Sequence, residues 1–293
     1  MRSFEYDAVA SVVVLSVSGM LALLGVVCNG LLLQVLWRIN ELWGSFTFRL
    51  ITCAAVGDLV ASLTTVGIGM FRLVLGYPGV MESAWYCRVF GFSLFFSHNL
   101  SGLLVSLIAL DRYLVVKHRQ RLHPAYTWVF VTVVALTFGA ALACNSYQNS
   151  FAVDPTFSFC LPSGSTESSV AAIFTEVLVN IPLLVLGFCY ISIFFIILRI
   201  QRHSKVFFKT HIHLRALLLI IGYFICYFPK FFGTLWRLCT NTHPPFVFYI
   251  LMPLGLTLVM IFNPFLVLFL NHRVHQETIA IFYPPSPEIT AVL

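Results

Sequence analysis

Seven long apolar runs dominate the sequence, at about 8–37, 47–75, 84–116, 125–147, 168–199, 210–237 and 245–270. Each has the roughly 20 residues that a helix needs to cross a bilayer core of about 30 Å. Of the 293 residues, 59% are hydrophobic and only 10% are charged, whereas soluble domains carry about 25% charged residues. A water-soluble fold has too little polar surface here to cover its interior. Strands of a membrane barrel would alternate apolar and polar residues, but these runs are continuous. The expected fold class is therefore an all-α membrane protein, a seven-transmembrane helix bundle.

An odd number of spans places the two chain ends on opposite sides. One side collects Arg38, Arg49, Arg112, Lys117, Arg119, Arg121, Arg199, Arg202, Lys205, Lys209, Arg215 and Arg273. The other has Arg2, Arg72, Arg88 and Arg237, while Lys230 falls within a run. Basic residues gather on the cytoplasmic side, so the N-terminus is expected outside and the C-terminus inside. The net charge of +6 follows from the same asymmetry, and nucleic acid is not an expected partner. The first run is too long for a signal h-region and lacks a small-residue cleavage site after it, so it reads as its own anchor. The outer N-terminus, about seven residues, is too short for a binding domain. Residues 1–271 are expected to form the seven-transmembrane domain and 272–293 a short cytoplasmic tail. That tail opens with a short amphipathic stretch and closes on Pro284-Pro285-Ser286-Pro287, a disordered composition. The loop at about 148–167 holds Cys160 and turn signals at Asp154-Pro155 and Pro162-Ser163-Gly164. No internal repeat or second domain is expected.

The third run starts at Cys87 and ends on Asp111-Arg112-Tyr113, a charged pair abutting about 22 mostly apolar residues. That places the pair at a water boundary on the basic side. Inside the runs, polar residues are expensive and so informative: Asn29, Asp58, Ser101 and Asn263 lie at similar depth on four different spans. They read either as one buried cluster around the Asp58 carboxylate or as four separate helix–helix hydrogen bonds. Most of the eight cysteines sit in apolar runs, where cysteine behaves as a small hydrophobe, and no pair has metal-ligand spacing.

With those residues in view, the chain resembles the rhodopsin-like (class A) family of G-protein-coupled receptors along nearly its whole length. The resemblance rests on Cys28-Asn29-Gly30 in span one and on Ala54-Ala55-Val56-Gly57-Asp58-Leu59 in span two. Span three adds Cys87 with Arg112 twenty-five positions later, and span four Trp128. Span five adds Pro182 with Tyr190, span six Cys226-Tyr227-Phe228-Pro229, and span seven Asn263-Pro264. Each motif alone is weak, but all occur in order, each on its own span. The resemblance implies a disulfide between Cys87 and Cys160. It implies a G-protein-coupling switch of Asp111, Arg112, Tyr113 and Tyr190, with Asp111 holding Arg112 at rest. It implies that Asn29, Asp58, Ser101 and Asn263 form a polar cluster able to take a sodium ion at Asp58 and Ser101, although a network of waters fits equally. Pro182, Pro229 and Pro264 each remove a backbone donor and are expected to kink their helices. The implied partners are a heterotrimeric G-protein, a small-molecule or lipid ligand and membrane lipid, at the plasma membrane as a multi-pass protein. No enzymatic activity is implied.

Three positions depart from the family pattern. Tyr227 replaces the usual tryptophan, Val267 replaces a tyrosine that would partner Tyr190, and Lys209 stands where some members carry an acid that pairs with Arg112. Thr257 occupies the position of the retinal-linking lysine of opsins, so no retinal cofactor is expected. Leu94 occupies the position of the aspartate of amine receptors. The expected ligand-binding residues are Leu94, Phe95, His98, Tyr227, Lys230, Phe231 and Thr257. A lysine within a span by default suggests function, and Lys230 shares a helix face with Tyr227. Placed inward, it favours an anionic or carbonyl-bearing ligand such as a lipid acid. Placed otherwise, it pairs with an internal acid, for which Glu176 is the candidate, or snorkels outward.

The leading expectation is thus a receptor that binds a small anionic or lipid-like ligand within the bundle and activates a G-protein through Arg112. The alternatives are a constitutively active or non-signalling receptor-like protein and a membrane transporter. A transporter would tend to show inverted repeats and broken half-helices. An intramembrane enzyme would need a nucleophile with a base, paired carboxylates or clustered metal histidines.

Overall fold

The structure is a computed structural model that describes residues 8–39, 43–81, 84–147, 151–153, 160–162, 170–203, 211–240, 242 and 244–282. Among them the helices are α1 (Ala8–Arg38), α2 (Phe46–Met81), α3 (Ala84–His118), α4 (Tyr126–Tyr147), α5 (Val170–His203), α6 (His211–Thr240), α7 (Phe246–Leu270) and α8 (His272–Phe282). The first seven coincide with the seven apolar runs. The ends differ most at α2, which continues to Met81 rather than 75, and at α5, which continues to His203 rather than 199. Hydropathy marks where side chains turn polar. The backbone keeps its hydrogen bonds internal wherever water is scarce, so a helix outlasts its apolar run.

Four helices are long and apolar enough to cross a membrane among the described residues: Ser11–Arg38, Phe46–Arg72, Arg88–His118 and Phe246–Phe269. Tyr126–Ala140 and Asn180–Ile196 are shorter apolar helices. Val13, Met20, Leu24 and Val27 of α1 and Trp128, Val133 and Leu136 of α4 face outward, while Asn29, Asp58, His98, Ser101 and Lys230 are buried. Apolar side chains outside and polar ones within suit a lipid solvent.

Helix α3 is central. It packs against α2, α4 and α5, while α1 packs on α2 and α7, and α6 on α5 and α7. Leu94, Phe95, Ile68, Phe138 and Met260 form a core towards the Cys87 end of α3. Leu50, Leu104, Ala109, Tyr190, Ile193, Tyr223 and Val259 form a second core nearer Arg112. The approach of α6 to α7 requires a glycine: a Cβ on Gly255 would collide with the Cys226 carbonyl oxygen. Pro182, Pro229 and Pro264 all lie inside helices, α5, α6 and α7, as does Pro253 in α7. The helical assignment runs unbroken through each.

Two features were not legible as elements. Strands β1 (Phe151–Val153) and β2 (Cys160–Pro162) pair antiparallel, with Val153 opposite Cys160, within a segment that reads as an irregular loop. β2 packs on α3, which brings the backbone of Cys160 to the helix that carries Cys87. The side chains of both cysteines lie outside the described residues, as do those of Glu176 and Lys209. After α7 the chain turns at Asn271, whose side-chain oxygen accepts from the Val274 N–H at 3.5 Å, and re-forms as α8. Val274 then buries itself against Leu32, Val35, Leu36 and Leu268, tying α8 to α1 and α7.

Candidate functional site

The first group of buried polar residues lies at the Cys87 end of the bundle. Lys230 follows Pro229 on α6, and its side chain turns inward, only 4% exposed. Its Nζ donates to Asn99 Oδ1 at 3.0 Å and lies 5.3 Å from the centre of the Phe95 ring. The Asn99 amide in turn donates to the Phe95 carbonyl at 2.6 Å, which fixes the side chain with its oxygen towards the ammonium. His98 is 2% exposed, and neither ring nitrogen has a hydrogen-bond partner among the described residues. Its ring lies 5.6 Å from that of Tyr227. The Tyr227 hydroxyl is likewise without a partner among the described residues. That hydroxyl reaches α3 because position 102 is glycine: a Cβ there would sit 3.0 Å from it. Leu94 and Phe95 are buried beside this group, and Phe231 is half-buried. Thr257 is buried, but its hydroxyl is already donated to the Pro253 carbonyl at 2.7 Å.

The second group lies at mid-depth. Asn263 Nδ2 donates to Asp58 Oδ2 at 2.8 Å and approaches Ser101 Oγ at 3.5 Å. The Tyr223 hydroxyl donates to Asn263 Oδ1. Three of the four expected members thus meet, with Tyr223 as an addition. Asn29 differs from the expectation of a bond to Asp58. Its amide donates to the backbone carbonyls of Gly25 at 2.9 Å and Met260 at 2.8 Å, because those carbonyls stand nearer on α1 and α7. Asn29 still borders the same cavity of about 90 Å³, which also touches Asp58, Tyr190, Tyr223, Asn263 and Val267. Asp58 Oδ1 and Asn29 Oδ1 are buried without hydrogen-bond partners among the described residues. Two unsatisfied oxygens bordering a water-sized space are the donor set that a small cation or waters would satisfy.

The third group lies at the Arg112 end, where the expected resting lock is not present. Asp111 is buried and does not hold Arg112. Its Oδ2 accepts from the Thr47 hydroxyl at 2.6 Å and its Oδ1 from the Leu122 N–H at 3.2 Å. Those neighbours hold the carboxylate towards α2 and the connection to α4, and Arg112 is exposed. Tyr113 is buried and its hydroxyl accepts from Lys117 at 2.6 Å. Tyr190 is buried in the same core as Tyr113. The Val267 position borders the same cavity as Tyr190.

Asn99, Tyr223 and Thr47 were missed by sequence reasoning. Asn99 carries an amide within a span, which is itself a polar signal. Tyr223 precedes Tyr227 by one helical turn and so shares its face. Nothing in the sequence marked Thr47.

Helices of membrane length, apolar outside and with polar groups buried between them, define a multi-pass helical membrane protein. The chain belongs to the 7 transmembrane receptor (rhodopsin family), whose family model matches residues 28–266; it is a class A G-protein-coupled receptor. Among curated relatives, melatonin receptor type 1B of Mus musculus is 25% identical over 187 residues, covering 59% of this chain and 49% of that receptor. Melatonin receptor type 1C of Xenopus laevis is 24% identical over 185 residues, covering 57% and 44%. Melatonin receptor type 1B-A of Danio rerio is 29% identical over 129 residues, covering 43% and 44%. The chain spans about half the length of the curated relatives it matches.

Proposed function

We propose that this receptor sits in the plasma membrane with its N-terminus outside, recognises a small anionic or carbonyl-bearing, lipid-like ligand at Lys230, and activates a heterotrimeric G-protein through Arg112. The observation behind the ligand class is the inward, buried Lys230 ammonium. Among its described contacts is Asn99, whose side-chain oxygen accepts from the ammonium at 3.0 Å. An ammonium in a low-dielectric interior gains much from a bound anion. Lys230 therefore serves as the charge anchor, Asn99 orients it, and Leu94, Phe95 and Phe231 contact the apolar body of the ligand. The unpartnered His98 ring and Tyr227 hydroxyl supply hydrogen bonds to a second polar atom. At the other end, Arg112 is exposed and not held by Asp111, so its guanidinium is available to a partner without first breaking an ion pair with that neighbour. Asp58 and Ser101 are the residues that would hold a sodium ion, which would neutralise the buried carboxylate. The Cys87–Cys160 disulfide belongs to the same proposal, supported by the packing of β2 on α3.

The test is a response screen with fatty and keto acids, in which melatonin, the molecule in the relatives' names, is the uncharged competitor. Lys230→Met is expected to lower potency for an acid ligand at least tenfold, the loss of one charge-assisted contact. An unchanged response in that variant would sink the anionic-ligand reading.

A further inference from the structure

A crevice of about 530 Å³ opens at the Arg112 end of the bundle, apart from both the Lys230 group and the Asp58 cluster. Its walls come from Gly44–Thr47 at the start of α2, from Asp111, Arg112 and Val115 on α3, and from Arg121, Leu122 and Pro124 in the connection to α4. The volume lies within the range of small-molecule sites, roughly 300–1,000 Å³. Two of the wall residues, Arg112 and Arg121, are exposed. Among the described wall residues the one acid is Asp111, whose oxygens accept from the Thr47 hydroxyl and the Leu122 N–H. Arg49 ties residues on both sides of the crevice. Its Nε donates to the Trp43 carbonyl at 2.6 Å, and an Nη reaches the Pro124 carbonyl at 3.5 Å, linking the two connections that frame the crevice.

Two guanidiniums against the one carboxylate among the described wall residues leave a net positive charge that a cleft concentrates. A guanidinium fork matches phosphate oxygens two at a time. A phosphomonoester carries nearly two negative charges at neutral pH, enough to face both arginines at once. The crevice also lies where the long apolar run of α3 ends, at the depth of lipid headgroups. We infer that this crevice is a binding site for a phosphate-bearing polyanion of headgroup size, held between Arg112 and Arg121. The site's chemistry fits a phosphoinositide headgroup in the adjacent leaflet and a soluble inositol phosphate alike. If Arg112 also contacts a G-protein, as proposed above, the polyanion competes for it; the binding site itself does not rest on that reading.

The test uses the full chain in nanodiscs and measures binding directly, so it stands or falls separately from signalling. One arm titrates soluble inositol 1,4,5-trisphosphate. The other compares nanodiscs containing phosphatidylinositol 4,5-bisphosphate with phosphatidylserine nanodiscs of equal total charge. Saturable binding is expected in at least one arm, weakened about tenfold by Arg121→Gln and less by Arg121→Lys, which keeps the charge but not the fork. Arg119→Gln, a neighbouring arginine outside the crevice wall, is expected to change it less than twofold. Binding in both arms indicates recognition of the free headgroup, and binding in the lipid arm alone indicates a membrane-presented ligand. Absence of saturable binding in both arms, or equal loss in Arg119→Gln and Arg121→Gln, overturns the proposal, because the attraction is then that of a generally basic face.

Discussion

A lysine inside a membrane protein needs a reason at the level of its own contacts. Lys230 has Asn99 at 3.0 Å and the Phe95 ring face at 5.3 Å, so the ammonium is solvated by an amide dipole and a π-system. Asn99→Leu removes that dipole and is expected to cost about 1–3 kcal/mol of stability, read as a lower melting temperature in nanodiscs. Adding Lys230→Met to the same chain should recover most of the loss, because the charge that needed the amide is gone. If the two losses simply add, the pair does not interact as described. Tyr223 makes a comparable case. Its hydroxyl ties α6 to Asn263 on α7, and Asn263 in turn binds Asp58 on α2. Tyr223→Phe should cost about 1 kcal/mol and raise ligand-independent signalling, since α6 then parts from α7 more easily. Unchanged basal signalling alongside a lowered melting temperature would confine Tyr223 to a structural role.

At the level of elements, the seven membrane helices were legible because lipid imposes one rule. Any spanning segment must satisfy its backbone internally, and continuous apolar runs of sufficient length do this as helices. Contacts between elements were less legible. That Asp58, Ser101 and Asn263 meet was readable from four intramembrane polar residues at matched depth. That Asn29 turns to the Gly25 and Met260 carbonyls was not, because hydropathy says nothing about which acceptor is nearer. Asp111 shows the same limit: the family resemblance implied Arg112 as its partner, but successive residues on a helix point about 100° apart, and Asp111 bonds to Thr47 and Leu122 instead. The β1–β2 hairpin was hidden because strands of three residues leave too short a pattern. The α6–α7 contact yields its own prediction. Gly255→Ala puts a methyl group against the Cys226 carbonyl oxygen and should cost about 1–3 kcal/mol, measured as reduced thermal stability. Gly69→Ala, with nothing within 4 Å of the added carbon, should be tolerated. Equal behaviour of the two variants would mean that the helices do not approach at Gly255.

For the whole molecule, the central claim is that one helix bundle links the proposed ligand group around Lys230 to an exposed arginine at the far end. Helix α3 joins them physically: it carries Phe95, His98 and Asn99 in one part, Ser101 at the mid-depth network, and Asp111-Arg112-Tyr113 at its end. Family membership fixes the architecture, while the substitutions Tyr227 and Val267 make the behaviour of this particular chain a matter for experiment. The most direct measurement is G-protein activation in cells, without added ligand and then with a library of lipid acids, comparing wild type with Arg112→Ala at matched surface expression. The account predicts a signal in the wild type that an acid ligand raises and that Arg112→Ala abolishes. A wild-type chain that reaches the surface and gives no Arg112-dependent signal under any condition would contradict it.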